Sequence, residues 1–312
     1  MASMTRIGIC LAAAAACLGA NGDIARAQQA EVITVPGFAD FLVVDGDSVW
    51  ATNKGRVERW SLGGKLATVP MDKPCGAMAI AAGSLWVADC QHGTINRIDR
   101  TTAKIIATIA TGIADPSGEL NVVAGAGSIW VASDAKGTVA RIDPATNRVI
   151  AAIPVDPGTS YLAFGLGALW AVSGSHQTIA RIDPGTNRVV KTTPLGRAPG
   201  FLVVGEGAVW VQEQGDGTLV RISASSGAVT GRVRVGANLK WGDIDTGGGR
   251  VWLRTTDDQV FAVIDATSLA ITARVGKAAG SGALRYTPAG VWTTAHDQHT
   301  LTWWPHPKKV GY

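Results

Sequence analysis

The chain has 312 residues, 46% of them hydrophobic, with 28 lysines and arginines against 24 aspartates and glutamates, a formal charge of +4. That mild excess is spread along the chain, with one tight basic cluster at Lys308-Lys309, so nucleic acid is not an expected partner. Few charges, 39 glycines and a positive mean hydropathy suit buried strands joined by tight turns.

In chain order, residues 1–27 read as an export signal. Arg6 supplies the positive start, Ile7 to Ala20 the apolar stretch, and Ala25-Arg26-Ala27 the small-x-small cleavage site, so the mature chain begins at Gln28. The apolar run is too short to span a bilayer, and no later segment reaches the necessary length. Cys17, behind a run of alanines, keeps a lipid-anchored alternative open. The expected location is periplasmic or secreted, with residues 28–312 as one domain.

That domain is built from seven copies of one unit. Trp50, Trp86, Trp130, Trp170, Trp210, Trp252 and Trp292 recur at spacings of 36, 44, 40, 40, 42 and 40 residues. A period near forty with several short strands per unit predicts an all-β, seven-bladed β-propeller of four-stranded antiparallel blades. The third unit shows the pattern: a strand at Asn121–Ala124, a turn at Gly125-Ala126-Gly127, a strand at Ser128–Ser133 carrying Trp130, a turn at Asp134–Gly137, an alternating strand at Thr138–Asp143, a turn at Pro144–Asn147, and a fourth strand at Arg148–Val155. The recurrent tryptophan reads as packing between neighbouring blades. The G-x-G in GLGALW and GEGAVW lies between two strands and opens no helix, so it is not a phosphate loop.

The last unit has three strands, near Ala283–Tyr286, Val291–Thr294 and Thr300–Trp304, and no fourth. Residues 31–36 look like the missing outer strand, so the N-terminus is expected to enter the last blade and close the ring. After cleavage two cysteines remain, Cys75 and Cys90. A turn centred on Ala82-Gly83 would place them directly opposite each other, and an oxidising compartment predicts a disulfide.

The unit GxGxVWVxxxxxGTVxRIDPxTNRVVxTIPVG resembles the YVTN-type repeat of bacterial seven-bladed propellers and the repeats of the virginiamycin B lyase family. The resemblance spans residues 31–305. It implies an acidic residue three positions after a strand tryptophan, where this chain has Asn53, Asp89, Ser133, Ser173, Glu213, Thr255 and Ala295. Asp89 and Glu213 are therefore the candidate catalytic carboxylates, with His92 the nearest imidazole to Asp89. The family's base, a histidine at the start of an inner strand beside a proline, has no counterpart: eleven residues before each tryptophan stand Ala39, Cys75, Glu119, Thr159, Pro199, Trp241 and Ser281. The magnesium-assisted proton abstraction of that family lacks its base here.

Loops before the inner strands and between the second and third strands share one face, a funnel. Its polar residues are Asp89, His92, Glu119, Asn121, Asp134, Tyr161, His176, Glu213, Trp241, Asp243, Arg254 and His296. Glu119 and Asp134 fall opposite each other in register, either as a contact for a hard cation such as magnesium or calcium, as an acid–base pair, or as rim carboxylates in water. His92, His176 and His296 sit in separate blades, either as transition-metal ligands or as solvated loop residues. No GxSxG, HExxH, CxxC or GxxxxGK[ST] occurs. The expectation is a monomeric recognition propeller for a small molecule, peptide or protein. A lyase or hydrolase opening cyclic esters is the rival reading, and an accessory protein of a periplasmic redox system a third.

Overall fold

The computed structural model describes residues 30–112, 119–133, 136–239, 242–255, 261–276 and 280–309. Residues 1–29, with the expected export signal and Cys17, lie outside the described residues, as do Asp134 and Trp241. Seven four-stranded antiparallel sheets form the seven blades of a propeller. Among the described residues the one helical element is a 3-10 turn at Pro307–Lys309, and no helix is long and apolar enough to cross a membrane.

Strand alternation and turn chemistry make each blade. The third runs Leu120–Gly125, Ser128–Ser133, Thr138–Asp143 and Arg148–Pro154. Its first turn places Ala126 at φ 49° and Gly127 at φ 69°. Two consecutive left-handed residues match the twist of a two-residue hairpin, which the glycine adopts without steric cost.

The second strands are the core. Ser84–Asp89, Ala168–Ser173, Ala208–Glu213 and Gly290–Ala295 are buried along their full length, because both faces of a blade lie against neighbours. All seven tryptophans are buried. Trp86 shares one apolar cluster with Leu120, Val122 and Ile129 of the next blade, so the ring fills the gap between blades as expected. Its indole N–H is satisfied locally, donating to the Ala81 carbonyl at 3.0 Å; Trp130, Trp210 and Trp252 repeat this on Gly125, Gly205 and Gly247.

A second device ties blade to blade. The arginine of each RID segment covers the tryptophan of its own blade, Arg141 lying 4.6 Å from the Trp130 ring. Two of these arginines also reach the outer turn of the next blade: Arg141 Nη1 donates to Pro184 O and Asn187 Oδ1, both at 2.7 Å. Arg97 does the same to Pro144 O and Asn147 Oδ1. A register shift falls at the arginine in each case, between Arg97 and Ile98 and between Arg141 and Ile142. The bulge aims the side chain out of the sheet toward that turn.

The ring closes through the N-terminal strand. Glu31–Thr34 pairs antiparallel with Thr300–Pro305, with Val32 opposite Thr302 and Ile33 opposite Leu301. The strand is two residues shorter than 31–36, and Pro36, with no N–H to give, lies beyond it.

Cys75 and Cys90 form a disulfide, with Cα atoms 6.0 Å apart. They are not, however, directly opposite. Near the turn Ala79 pairs with Trp86, as the expected register requires, but a bulge follows and Cys75 pairs with Ala88. Gly76 sits in that bulge at φ 68°, where an added Cβ would run into the Leu120 carbonyl. In the third blade the expected register holds to its last described pair, Leu120 with Ser133.

Candidate functional site

Inner strands bring one residue per blade to the top of the central channel. Nine positions before each tryptophan stand Phe41, Ala77, Asn121, Tyr161, Phe201, Asp243 and Ala283. All seven line the axial cavities. Two positions on, by strand alternation, Asp245 and Arg285 line the channel below. Three aromatic rings lie together at the throat: Tyr161 and Phe201 have centroids 4.5 Å apart, and Phe201 lies 6.3 Å from Phe41.

Above them opens a cavity of about 610 Å³, within the range of small-molecule sites. Its walls carry Asp40, Glu119, Asp243, His296 and Asp297, with Phe38 at the rim. None of its described lining residues is a lysine or arginine. Asp243 is nonetheless neutralised from below, bonded to the Arg285 guanidinium, while its carboxylate also accepts the amides of Ile244 at 2.8 Å and Leu284 at 3.2 Å. Burial works against the Arg285 charge, but Asp243 and Asp245 together raise its pKa.

Asp40 is the exception. Its backbone is pinned, the N–H donating to Thr52 O at 3.0 Å and the carbonyl accepting from Thr294 Oγ1 at 2.7 Å. Its carboxylate is deeply enclosed yet open to the cavity. Burial first, then Glu119 and Asp243, push it up to about 7.

Beside Asp40, His296 stacks on Phe38, with ring centroids 3.9 Å apart, and its Nε2 is hydrogen-bonded to Ser281 Oγ. Burial lowers its pKa, with Arg254 adding to the effect and Asp297 opposing it, so the imidazole is neutral near pH 7. Its Nδ1 lies 3.9 Å from Asp297 Oδ1, beyond hydrogen-bonding distance. Ser281 and His296 hold the places that Cys75 and Cys90 hold in the second blade. Arg254 lies behind this wall, fully buried, donating to Thr255 O, to Gly280 O at 2.7 Å and to Thr294 O at 3.1 Å. Burial lowers its pKa to about 10, so it stays charged and ties the loops at Thr255 and Gly280 to the strand at Thr294.

The other expected residues are placed elsewhere. Glu213 is buried, and each of its oxygens already accepts from two donors: Oε1 from Gly196 N and Arg232, Oε2 from Thr218 Oγ1 and Arg232. Burial raises its pKa, but those donors more than offset it and the group is held below the usual range. A hard cation could use this carboxylate only by displacing them, so Glu213 does not fit a metal contact. Asp89 caps its own loop, accepting from Gln91 N at 3.0 Å, and bonds His92 Nδ1 at 3.1 Å. His92 Nε2 faces Asp72 at 3.4 Å, and the Asp89 hydrogen bond and charge raise the imidazole pKa. These three offer ligand atoms within 4.8 Å of one another, the one such group among the described residues. Both ring nitrogens of His92 are thereby committed to carboxylates. His176 is exposed on its own blade, bonded to Pro157 O at 2.9 Å. Asn121 lines the channel and accepts from Leu162 N at 3.3 Å. The pairing of Glu119 with Asp134 and the expectation for Trp241 involve Asp134 and Trp241, which lie outside the described residues.

Sequence reading therefore found Glu119, Tyr161, Asp243 and His296 at the cavity and missed Asp40, Phe38, Phe41, Phe201 and Ser281. For Phe41 and Phe201 the signal was present in the column nine before the tryptophan.

No family model matches the chain, and no curated protein matches it in sequence. Its fold is shared with virginiamycin B lyase. The Staphylococcus aureus enzyme superposes with a TM-score of 0.75 at 17% identity, over 88% of this chain and 98% of that one. A streptogramin B lyase gives 0.73 at 14% identity, over 88% and 96%. Hydrazine synthase of Kuenenia stuttgartiensis gives 0.72 at 15% identity, over the same shares. At such identities the likeness is one of architecture, and proteins of unrelated activity share it.

Proposed function

We propose that this chain is an exported, monomeric propeller that binds a small molecule in the funnel cavity. One observation carries the reading: a cavity of about 610 Å³ whose floor is three aromatic rings and whose walls present polar groups from several blades. Apolar surface supplies affinity there, and converging polar groups supply orientation. Export is supported by the sequence of residues 1–27 and by the disulfide, a bond of oxidising compartments. The test is ligand-observed NMR against a library of amphiphilic small molecules, comparing wild type with Tyr161→Ala. Binders that weaken in the variant support the reading. A library without binders, or binders indifferent to Tyr161, would overturn it.

A second reading, chemistry on a bound ester, is favoured by the Ser281–His296 pair on the cavity wall. A neutral imidazole bonded to a hydroxyl is a base next to a nucleophile. Neither Asp89 nor Glu213 supports it, since both carboxylates are already engaged. A streptogramin B-type depsipeptide, with or without magnesium, is expected to stay intact in a chromatographic assay. Ring opening that disappears in His296→Ala would replace the binding reading.

A further inference from the structure

Asp40 stands out among the acidic groups of this protein. Asp243 has Arg285, Glu213 has Arg232, and Asp45 has Arg59 and Arg100. Each buried carboxylate in that series is matched by a guanidinium, which is how a chain of net positive charge keeps such groups inside. The Asp40 carboxylate makes no hydrogen bond or ion pair within the described residues. It is held in place through its backbone and lines the cavity of about 610 Å³ above the aromatic rings.

A buried carboxylate without a partner is costly, and the cost is offset when a cation arrives. What surrounds Asp40 says which cation. Metal ions such as magnesium and calcium take several oxygen ligands in a compact shell. Here the space is wide, and much of its boundary is aromatic: Phe38, Phe41, Tyr161 and Phe201. Aromatic faces attract ammonium groups and bury the carbon attached to them. The second carboxylate at the same end, Glu119, adds to the negative potential felt at Asp40.

We infer that the funnel cavity binds an organic cation, an amine with an apolar body, whose ammonium pairs with Asp40 while its carbon skeleton lies against Tyr161, Phe201 and Phe41. This rests on the small-molecule reading above and names the ligand class. Charge at Asp40 is available to such a ligand, since a positive group beside it reverses the push that burial exerts.

The experiment uses the mature chain with its disulfide intact and two probes of matched size, phenethylamine and 2-phenylethanol, in titration calorimetry at pH 7.5. The amine is expected to bind at least about tenfold more tightly than the alcohol, as a charge-assisted bond exceeds a neutral one. Asp40→Asn, isosteric and relieved of a buried charge, should remain folded and remove that difference. Tyr161→Ala should weaken both probes together. Equal binding of the two probes would overturn the inference while leaving the small-molecule reading standing. Binding of neither would overturn both. Displacement of the amine by micromolar magnesium or calcium chloride, sensitive to Asp40→Asn, would make this a metal site and overturn the inference as well.

Discussion

The aspartates of the outer turns and Asp40 in the funnel are held in opposite ways. On the face of the outer turns, Asp99, Asp143, Asp183 and Asp265 accept backbone amides and hydroxyls of their own turns. Those bonds hold all four below the ordinary carboxylate range. On the funnel face, burial and two neighbouring carboxylates push Asp40 up to about 7. The turn carboxylates recur in register and serve the fold, each completing a turn that the preceding blade's arginine can grasp. Asp40 belongs to no repeated pattern and costs stability. Where a repeat protein departs from its own repeat at such a cost, a ligand is the natural compensation.

The comparison can be broken first on the side of stability. Trp130→Ala removes a buried ring from between two blades and should cost about 3–5 kcal/mol in equilibrium unfolding by denaturant. A cost under about 1 kcal/mol would mean that the tryptophans do not hold the blades together.

Asp40→Asn should act in the reverse direction. A carboxylate whose folded pKa lies above its unfolded one binds more protons when folded, so stability is lost as pH rises from about 4 through about 7. The asparagine variant should therefore be more stable than wild type by about 2–4 kcal/mol at pH 8 and equal to it near pH 4. Parallel stability–pH curves for the two proteins would show that Asp40 pays no burial cost.

Deleting residues 30–34 exposes the edge at Thr300–Pro305 and removes its pairing, for a loss of about 2 kcal/mol and several degrees of Tm, with concentration-dependent aggregation. Unchanged melting would contradict closure through this strand. The smallest effect is expected from Arg141→Ala, which frees the Asn187 turn of the next blade at a cost of about 1–2 kcal/mol. Arg141→Lys should recover little of it, because one ammonium cannot cover Trp130 and span two acceptors as the planar fork does.

Much of this was legible in the residues themselves. Seven tryptophans at a near-constant spacing imply seven equal units, and a three-stranded last unit implies a donor strand from the other end of the chain. Both follow because strand period and turn chemistry are local, and a repeat writes them down many times. The cysteine pairing was legible too, but not its register, since a single bulge at Gly76 moves every residue beyond it by two in the pairing sum. Glu213 and Asp89 had the right type and spacing for chemistry, yet their donors, Arg232 and His92, come from an outer strand and a loop whose reach only the packed blade sets.

The funnel is the part that tertiary structure decided. Phe41, Tyr161 and Phe201 belong to blades one, four and five, and their rings meet because a closed ring of seven brings distant inner strands to one axis. Sequence alone determined the unit, its number and its closure, because each depends on contacts within about forty residues or on a count. It could not assign Asp40 its missing partner, because the environment of a carboxylate is made by whichever blades face it across the axis. The charge at Asp40 is set by burial first and then by Glu119 and Asp243, residues of two other blades, and electrostatic interaction follows distance in space rather than distance along the chain.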